Sequence, residues 1–564
     1  KREYLMLFMV VIAACLLRLF LILHNWPGSN ADEATMGLMA LHIEQGRDFP
    51  VFFYGQAYMG TLQAYLGSVL FRLFGVSLFS LRLGLILIFA AFLVVMYFLV
   101  KIVYNRPFAL LCLLLYGVGS AAIIGIQLFA NGGYSETVLF SALIFLLVAR
   151  IILHPRTPTL QRPGVSRSLL LRWGLLGIIA GTAAYTDILI LPTLVCAGIL
   201  LVLFERRYVR SRLGLLLAGG FLLALLPAII YNLSVPFSRG TIAAYAGSSG
   251  YAATTANRGG MTFAQQLLQA LLITLPSATG LSHICSIQEP MSAVHPFFAI
   301  FGARQDSCAL ASAGWAMGYI ILWVAASVQA IKALLLLRQP EHSGKMADAL
   351  QRERALHWIR CMLLASAALT FMLYAVSAPA ALNPRSTARY LFGMLIALPA
   401  LAWPLWQGMQ HRGNLVWRKR ILPLALLLIC VMFVKGTVDI MGQLDTYEPT
   451  IAQQQALIDF LLQHKLTRFY SDYWPCDHLI FQSQDQLVCA ALDDQLQPGL
   501  DRYPPYREAV TAQPQAVYVF KAHSAQVAAL DAEIRQHPQM HVTRTVVTEY
   551  MIYQSQTVLQ NLDK

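Results

Sequence analysis

Two adjacent carboxylates, Asp32 and Glu33, follow directly on the first long apolar run of the chain. Carboxylates at such an edge are costly unless they are capped, paired or used. Glu33 stands three residues after Asn30, the N-x-x-E spacing of a capping box, and serves equally well as a helix cap or as a site residue. Asp32 is not needed for the cap and is the first candidate for a functional carboxylate. Glu136, after Asn131-Gly132-Gly133-Tyr134-Ser135, opens another apolar run and again reads as a cap or a site. Asp187 sits in a tight turn, where a turn-stabilising role is favoured over a substrate contact. Arg385 and Arg389, in Asn383-Pro384-Arg385-Ser386-Thr387-Ala388-Arg389-Tyr390, are guanidinium groups suited to bidentate phosphate binding; contact with lipid headgroups or carboxylates is the alternative. Tyr54, Gln56 and Tyr58 offer phenols and an amide to sugar hydroxyls, although interfacial tyrosines are also ordinary membrane anchors. Tyr470, Asp472, Tyr473 and Trp474 form an aromatic cluster that reads as core rather than as a sugar-stacking surface. No metal motif is present: Asp32 has no D-x-D partner, and His283 and His295 lack ligand spacing. No cofactor is indicated; a divalent metal stays open as an alternative, although no ligand motif is seen.

The elements that must carry these residues follow from composition. Of 564 residues, 57% are hydrophobic and only 12% charged, and the mean hydropathy is +0.59. A soluble chain carries about 25% charged residues, so this composition excludes a cytosolic enzyme, a coiled coil and a disordered chain. Eleven apolar runs are long enough to span a bilayer: 5–24, 81–103, 108–128, 136–153, 170–186, 188–204, 213–231, 314–337, 361–380, 390–409 and 421–441. Alternate connections concentrate Lys and Arg, among them Arg2, Lys101, Arg106, Arg206, Arg207, Arg338 and Lys419. The positive-inside rule makes those connections cytoplasmic, with membrane lipid as the contact of the basic side chains. The net charge of +13 is thus a topology signal, and no nucleic-acid partner is expected. Arg385 and Arg389 break that bias, which is why they need a reason.

This topology predicts a polytopic α-helical membrane protein in the cytoplasmic membrane, its N-terminus inside and its C-terminus outside. Residues 1–441 form the transmembrane domain, with outer loops 25–80 and 232–313, and residues 442–564 form a small soluble α/β domain outside. Two amphipathic helices along the membrane surface are expected in 25–80, around Met36–Ile43 and Leu62–Leu73. Strands are expected at Phe469-Tyr470, Ala516–Phe520 and Val546–Tyr550, and helices near 450–463 and 525–536. No broken helix or internal repeat is apparent. Cys285, Cys308, Cys476 and Cys489 face out as two local pairs, which predicts disulfides Cys285–Cys308 and Cys476–Cys489, with four free thiols as the alternative.

The acidic pair placed directly after the first span, surface helices, about eleven spans and an outer C-terminal domain together resemble the GT-C superfamily of membrane glycosyltransferases. The closer likeness is to the branch of protein O-mannosyltransferases and the aminoarabinose transferase that modifies lipid A. Stretch 30–74, from Asn-Ala-Asp-Glu-Ala through Phe-Phe-Tyr-Gly-Gln-Ala-Tyr-Met-Gly to Leu-Phe-Arg-Leu-Phe-Gly, carries it. The resemblance implies an inverting transferase that takes a hexosyl or pentosyl group from a polyprenyl phosphate and gives it to a hydroxyl of a glycan, glycolipid or protein. It implies Asp32 as general base, Glu136 by position as a second acidic residue, and Arg389-Tyr390 near the donor phosphate. Relatives commonly carry Lys-Pro-Pro where this chain has Gln56-Ala57-Tyr58, which implies that Arg385 and Arg389 would have to do more of the phosphate binding. A transporter or flippase of lipid-linked sugar, and a noncatalytic assembly protein, are the rival readings.

Overall fold

The structure, a computed structural model, describes residues 2–154, 167–248, 261–282, 306–337, 345–410, 416–444, 448–513, 515–537 and 542–555. Ten of its helices are long and apolar enough to cross a membrane, or eleven if one bent pair counts as a single span. They fall on the apolar runs, from Arg2–Leu23 through Tyr134–Ile152 to Arg420–Met441. Large apolar side chains such as Leu215, Leu223, Ile230 and Leu428 stay exposed on them, as lipid-facing positions must.

The run at 108–128 is not one straight span. It breaks into Arg106–Gly117 and Ala121–Leu128, bent by 83°, which corrects the expectation of unbroken helices. Arg18 explains how the break survives in an apolar setting. Fully buried in the first span, it donates to the end carbonyls of Tyr116 (3.1 Å) and Gly117 (2.6 Å), to Ala14 O (3.2 Å), and twice to Gln127 Oε1 (3.1 and 2.5 Å). A helix ending inside a membrane leaves carbonyls that need donors, and one guanidinium supplies them.

The chain forms two compact units, each assembled from separate stretches of sequence. One unit holds Lys1–Arg18, Ile86–Gln127 and Gly133–Gly442; the other holds Leu19–Leu85, Leu128–Gly132 and Gln443–Lys564. In the first unit the expected outer loop 232–313 contains buried helical turns at Phe263–Gln269 and Leu275–Thr279, with Ile273, Leu275 and Ala278 in the core. Burial of those apolar residues, unreadable in a Gly- and Ser-rich context, makes this part a packed element and not a loop. Cys308 is disulfide-bonded; Cys285, its expected partner, lies outside the described residues, as do His283 and His295.

The second unit joins the early helices Ala31–Glu44 and Leu62–Phe74 to a five-stranded mixed sheet. The strands are β1 (Arg468–Ser471), β2 (Val488–Ala491), β3 (Ala516–Lys521), β4 (Val542–Val547) and β5 (Tyr550–Ser555), in the order β2-β1-β3-β5-β4. β1 runs parallel to β2 and β3, and β5 pairs antiparallel with β3 and β4. Tyr470, Tyr518, Phe520 and Tyr553 fill its core. The run Val546–Tyr550 is the hairpin between β4 and β5 and not a single strand: Thr548 turns the chain at φ 54°. Helix Ala31–Glu44 differs from expectation too. Ala31 and every residue from Glu33 to Ile43 are buried, so it is a core element packed against Leu62–Phe74 and Tyr473–Gln482, not a half-exposed surface helix. Helix Leu62–Phe74 does keep an apolar exposed face, Tyr65, Val69 and Leu73. Cys476 and Cys489 form a disulfide that ties helix Tyr473–Gln482 to β2.

Candidate active site

Asn30, in extended conformation, accepts from the Glu33 amide at 3.0 Å and starts helix Ala31–Glu44. Adjacent helical residues point about 100° apart, and that rotation separates the two carboxylates. Glu33 turns inward. Its Oε1 accepts from Arg82 Nε (2.9 Å) and the Ala130 amide (3.1 Å), and its Oε2 accepts from Arg82 Nη2 (2.6 Å). Both partners are buried, Glu33 at 0% and Arg82 at 1% exposure. The reciprocal half of the capping box does not form, because the side chain is committed to Arg82.

Asp32 stays one-fifth exposed. Its Oδ1 accepts from the Tyr473 hydroxyl (3.0 Å) and from Arg502 Nη2 (2.7 Å), while Arg502 Nε donates to the Tyr473 oxygen (2.9 Å). Asp32 Oδ2 takes no hydrogen bond among the described residues. Arg502 lies against the rings of Phe53 and Tyr473, 5.0 and 5.6 Å from their centroids. Burial works against its charge, but Tyr473 and Asp32 more than offset this and hold the guanidinium above its ordinary pKa. Gly55, at φ +71°, permits the approach: a Cβ there would sit 3.2 Å from Arg502 Cα. One turn further along, Thr35 donates to Asp477 Oδ2 at 2.5 Å. Burial pushes the Asp477 carboxyl up to about 6.

The aromatic and amide candidates divide. Tyr54 is buried, donates to Asp48 (2.9 Å) and lies 2.9 Å from His42 Nδ1, with Tyr506 on the other ring nitrogen at 3.0 Å. Its phenol is thus engaged within the protein. Gln56 and Tyr58 remain half-buried.

The other unit assembles a second cluster. Glu136 is buried in the first turn of helix Tyr134–Ile152. Asp187 caps the short turn Ile188–Ile190, accepting from the Leu189 amide at 2.9 Å. Burial pushes it up to about 6, against the pull of the Arg389 charge. Gly133 makes room for that turn: a Cβ there would fall 2.6 Å from Thr186 Cγ2 and 3.2 Å from Asp187 Cβ. Arg389 lies over the rings of Tyr134 (5.4 Å) and Tyr390 (5.7 Å), which stack at 5.9 Å. Segment Ser386–Ala397 is a 3-10 helix. At three residues per turn, positions four apart diverge by about 120°, so Arg385 and Arg389 do not share a face: Arg385 is exposed, Arg389 half-buried. An apolar groove of about 670 Å³ in this unit is lined by Trp315, Tyr319, Leu398, Leu401, Met432 and Phe433. Among the described residues, no three His, Cys, Asp or Glu side chains group to hold a metal ion.

Reasoning from sequence brought Glu136, Asp187, Arg389 and Tyr390 into view; Arg389 and Tyr390 lie against Tyr134, and the Arg389 charge acts on Asp187. It missed Tyr134, Arg82, Asp477 and Arg502, and it read Tyr473 as core. Arg502 touches Asp32 across 470 positions, a separation no spacing rule detects.

No family model matches the sequence, and no curated protein matches it. Among solved structures, the chain is similar to ArnT from Cupriavidus metallidurans bound to undecaprenyl phosphate. Identity is 13%, coverage is 98% of this chain and 99% of that one, and the TM-score is 0.56. The apo form of the same protein gives 13% identity, 94% coverage of each chain and a TM-score of 0.48. AglB of Archaeoglobus fulgidus, an archaeal oligosaccharyltransferase in complex with an inhibitory peptide and a dolichol-phosphate, gives 12%, 91% of this chain, 69% of that one and 0.45. The likeness to the undecaprenyl phosphate-bound form is one of fold, over nearly the whole of both chains. The chain is a multi-pass membrane protein that shares its fold with this ArnT structure.

Proposed function

We propose that this protein is an inverting glycosyltransferase that moves a sugar from a polyprenyl phosphate to an acceptor hydroxyl on the outer face of the cytoplasmic membrane. The observation that carries the reading is Asp32, at the start of a buried helix, with one carboxylate oxygen anchored by Tyr473 and Arg502 and the other unengaged among the described residues. A fold shared with a protein that binds undecaprenyl phosphate supports the donor class.

In this mechanism the acceptor oxygen attacks the anomeric carbon from the face opposite the phosphate. The new C–O bond forms as the C1–O bond to phosphate breaks, and the electron pair leaves on the polyprenyl phosphate. The hydroxyl proton passes to Asp32 Oδ2, a step typically worth about 10²–10⁴-fold. The leaving group is already anionic, so no general acid is required, but charge accumulates on it and favours cations. As the resemblance implies, Arg389, over the rings of Tyr390 and Tyr134, is the cation proposed for a donor phosphate, with Arg385 a separate candidate; Glu136 and Asp187 are buried acids of the same unit as Arg389. The apolar groove suits a polyprenyl tail, and Gln56 and Tyr58 suit sugar hydroxyls. Glu33, with both oxygens paired, holds the frame.

The flippase reading draws one observation in its favour, the span broken by 83° beside a buried arginine, since transporters use broken helices at membrane depth. Against it, Arg18 is engaged by the carbonyls the break exposes. The test uses the full chain in sealed proteoliposomes with undecaprenyl-phosphate-linked sugars. Asp32→Asn is expected to lower transfer at least about 10²-fold while keeping undecaprenyl phosphate affinity. Near-normal transfer by that variant would remove the assignment, and sugar movement across the bilayer without transfer would favour the flippase.

A further inference from the structure

We infer that Tyr473 and Arg502, both from the C-terminal segment, are positioning residues for the transfer: they hold Asp32 by Oδ1 and aim Oδ2 at the acceptor hydroxyl. The inference rests on the glycosyl-transfer reading above and adds residues to it.

The three side chains close a ring of hydrogen bonds with a fixed direction. Arg502 Nε–H occupies a lone pair of the Tyr473 oxygen, so the phenol proton goes to Asp32 Oδ1, which also accepts from Arg502 Nη2. A carboxylate left loose in the first turn of a helix would rotate about both its torsions. General base catalysis needs the accepting oxygen within a few tenths of an ångström of its target, and a displacement of 1 Å can cost 10²-fold.

The form of the pairing is consistent with positioning. Arginine and carboxylate frequently meet fork to fork, with both oxygens engaged. The neighbouring residue shows that form in the same unit: Glu33 takes Arg82 on both oxygens and is fully buried. Arg502 instead places one nitrogen on Asp32 and turns the other to Tyr473. The arrangement leaves Oδ2 without a hydrogen bond among the described residues, on a side chain that is 20% exposed.

The support behind the ring is rigid. Asp472 caps helix Tyr473–Gln482 by accepting from the Trp474 amide at 2.7 Å. The Cys476–Cys489 disulfide ties that helix to β2. Thr35 and Asp477 form a second rung between the two helices, three residues on from Asp32 and four on from Tyr473. Such spacings keep both rungs on one face of each helix, so the first turns of the two helices are held in register.

The test measures kcat, KM and undecaprenyl phosphate affinity for Tyr473→Phe, Arg502→Gln and Arg502→Lys in the full chain in nanodiscs. Tyr473→Phe and Arg502→Gln are expected to lower kcat by roughly 10–100-fold with undecaprenyl phosphate affinity within about twofold of the parent. Arg502→Lys, which keeps a cation but not the planar fork, is expected to recover part of the loss. In an Asp32→Asn background, Arg502→Gln should cost nothing further, because its effect runs through Asp32. Folded Tyr473→Phe and Arg502→Gln proteins with parental kcat, alongside an inactive Asp32→Asn, would overturn the inference and leave the base assignment standing. An active Asp32→Asn would instead overturn the transfer reading beneath it.

Discussion

Glu33→Gln and Asp32→Asn change neighbouring residues by the same chemistry and should fail in different ways. At Glu33 three donors, Arg82 Nε, Arg82 Nη2 and the Ala130 amide, converge on two carboxylate oxygens. Glutamine offers one oxygen and turns an NH2 toward an Arg82 donor. It also removes the charge that neutralises a guanidinium only 1% exposed, whose Nη1 has no hydrogen-bond partner among the described residues. Breaking a buried pair by neutralising one member costs about 3–5 kcal/mol, a loss that thermal unfolding reads as roughly 10 °C. Asparagine at 32 keeps an oxygen for both Tyr473 and Arg502, so its stability cost is about 1 kcal/mol, while its transfer falls at least about 10²-fold. The assay is thermal unfolding of detergent-purified protein by tryptophan fluorescence, paired with transfer measured below both transitions. Replacing Glu33 and Arg82 together by leucine should recover most of the Glu33→Gln deficit, since an apolar pair of similar size removes the uncompensated charge. A Glu33→Gln transition within 2–3 °C (about 1 kcal/mol or less) of the parent would refute the reasoning. So would an Asp32→Asn protein as unstable as Glu33→Gln.

Two further outcomes follow from buried groups. His478 is buried beside Glu33 and Arg82, and burial lowers its pKa to about 4. The unfolded chain therefore takes up that proton first, and His478 weakens the fold progressively as pH falls from about 6.5 toward 4. Asp477, raised to about 6, has the opposite slope over an overlapping range. His478→Asn removes the first slope alone, so its stability relative to the parent should improve by about 2 kcal/mol between pH 7 and pH 4.5; an equal difference at both pH values contradicts the burial argument. Arg18→Leu strips donors from the Tyr116 and Gly117 carbonyls and from Gln127, at about 1–3 kcal/mol for each buried group left unpaired. It should lower the detergent transition markedly, with Arg18→Lys recovering little for want of a planar fork; a parental transition for Arg18→Leu would show that the broken span does not depend on this clamp.

Apolar run length and the placement of Lys and Arg were enough to mark out the spans, because a bilayer imposes a length and a polarity on any segment that crosses it. The strands at Phe469–Tyr470 and Ala516–Phe520 were legible from local pattern. The break at Gly117–Ala121 was not, because its cause is a side chain about a hundred residues earlier that makes exposed carbonyls tolerable. The same holds for the buried turns within 261–282, whose burial depends on what packs over them.

The candidate site divides along the same line. Residue type and position alone determined that Asp32, Glu136, Asp187 and Arg389 merit attention, since uncommon charges at the edges of apolar runs stand out against their surroundings. Only the tertiary structure decided which of two consecutive carboxylates is paired and which is presented. Helical rotation turns one inward to Arg82 and the other outward to Tyr473 and Arg502, and partners that distant in the chain become neighbours through folding alone.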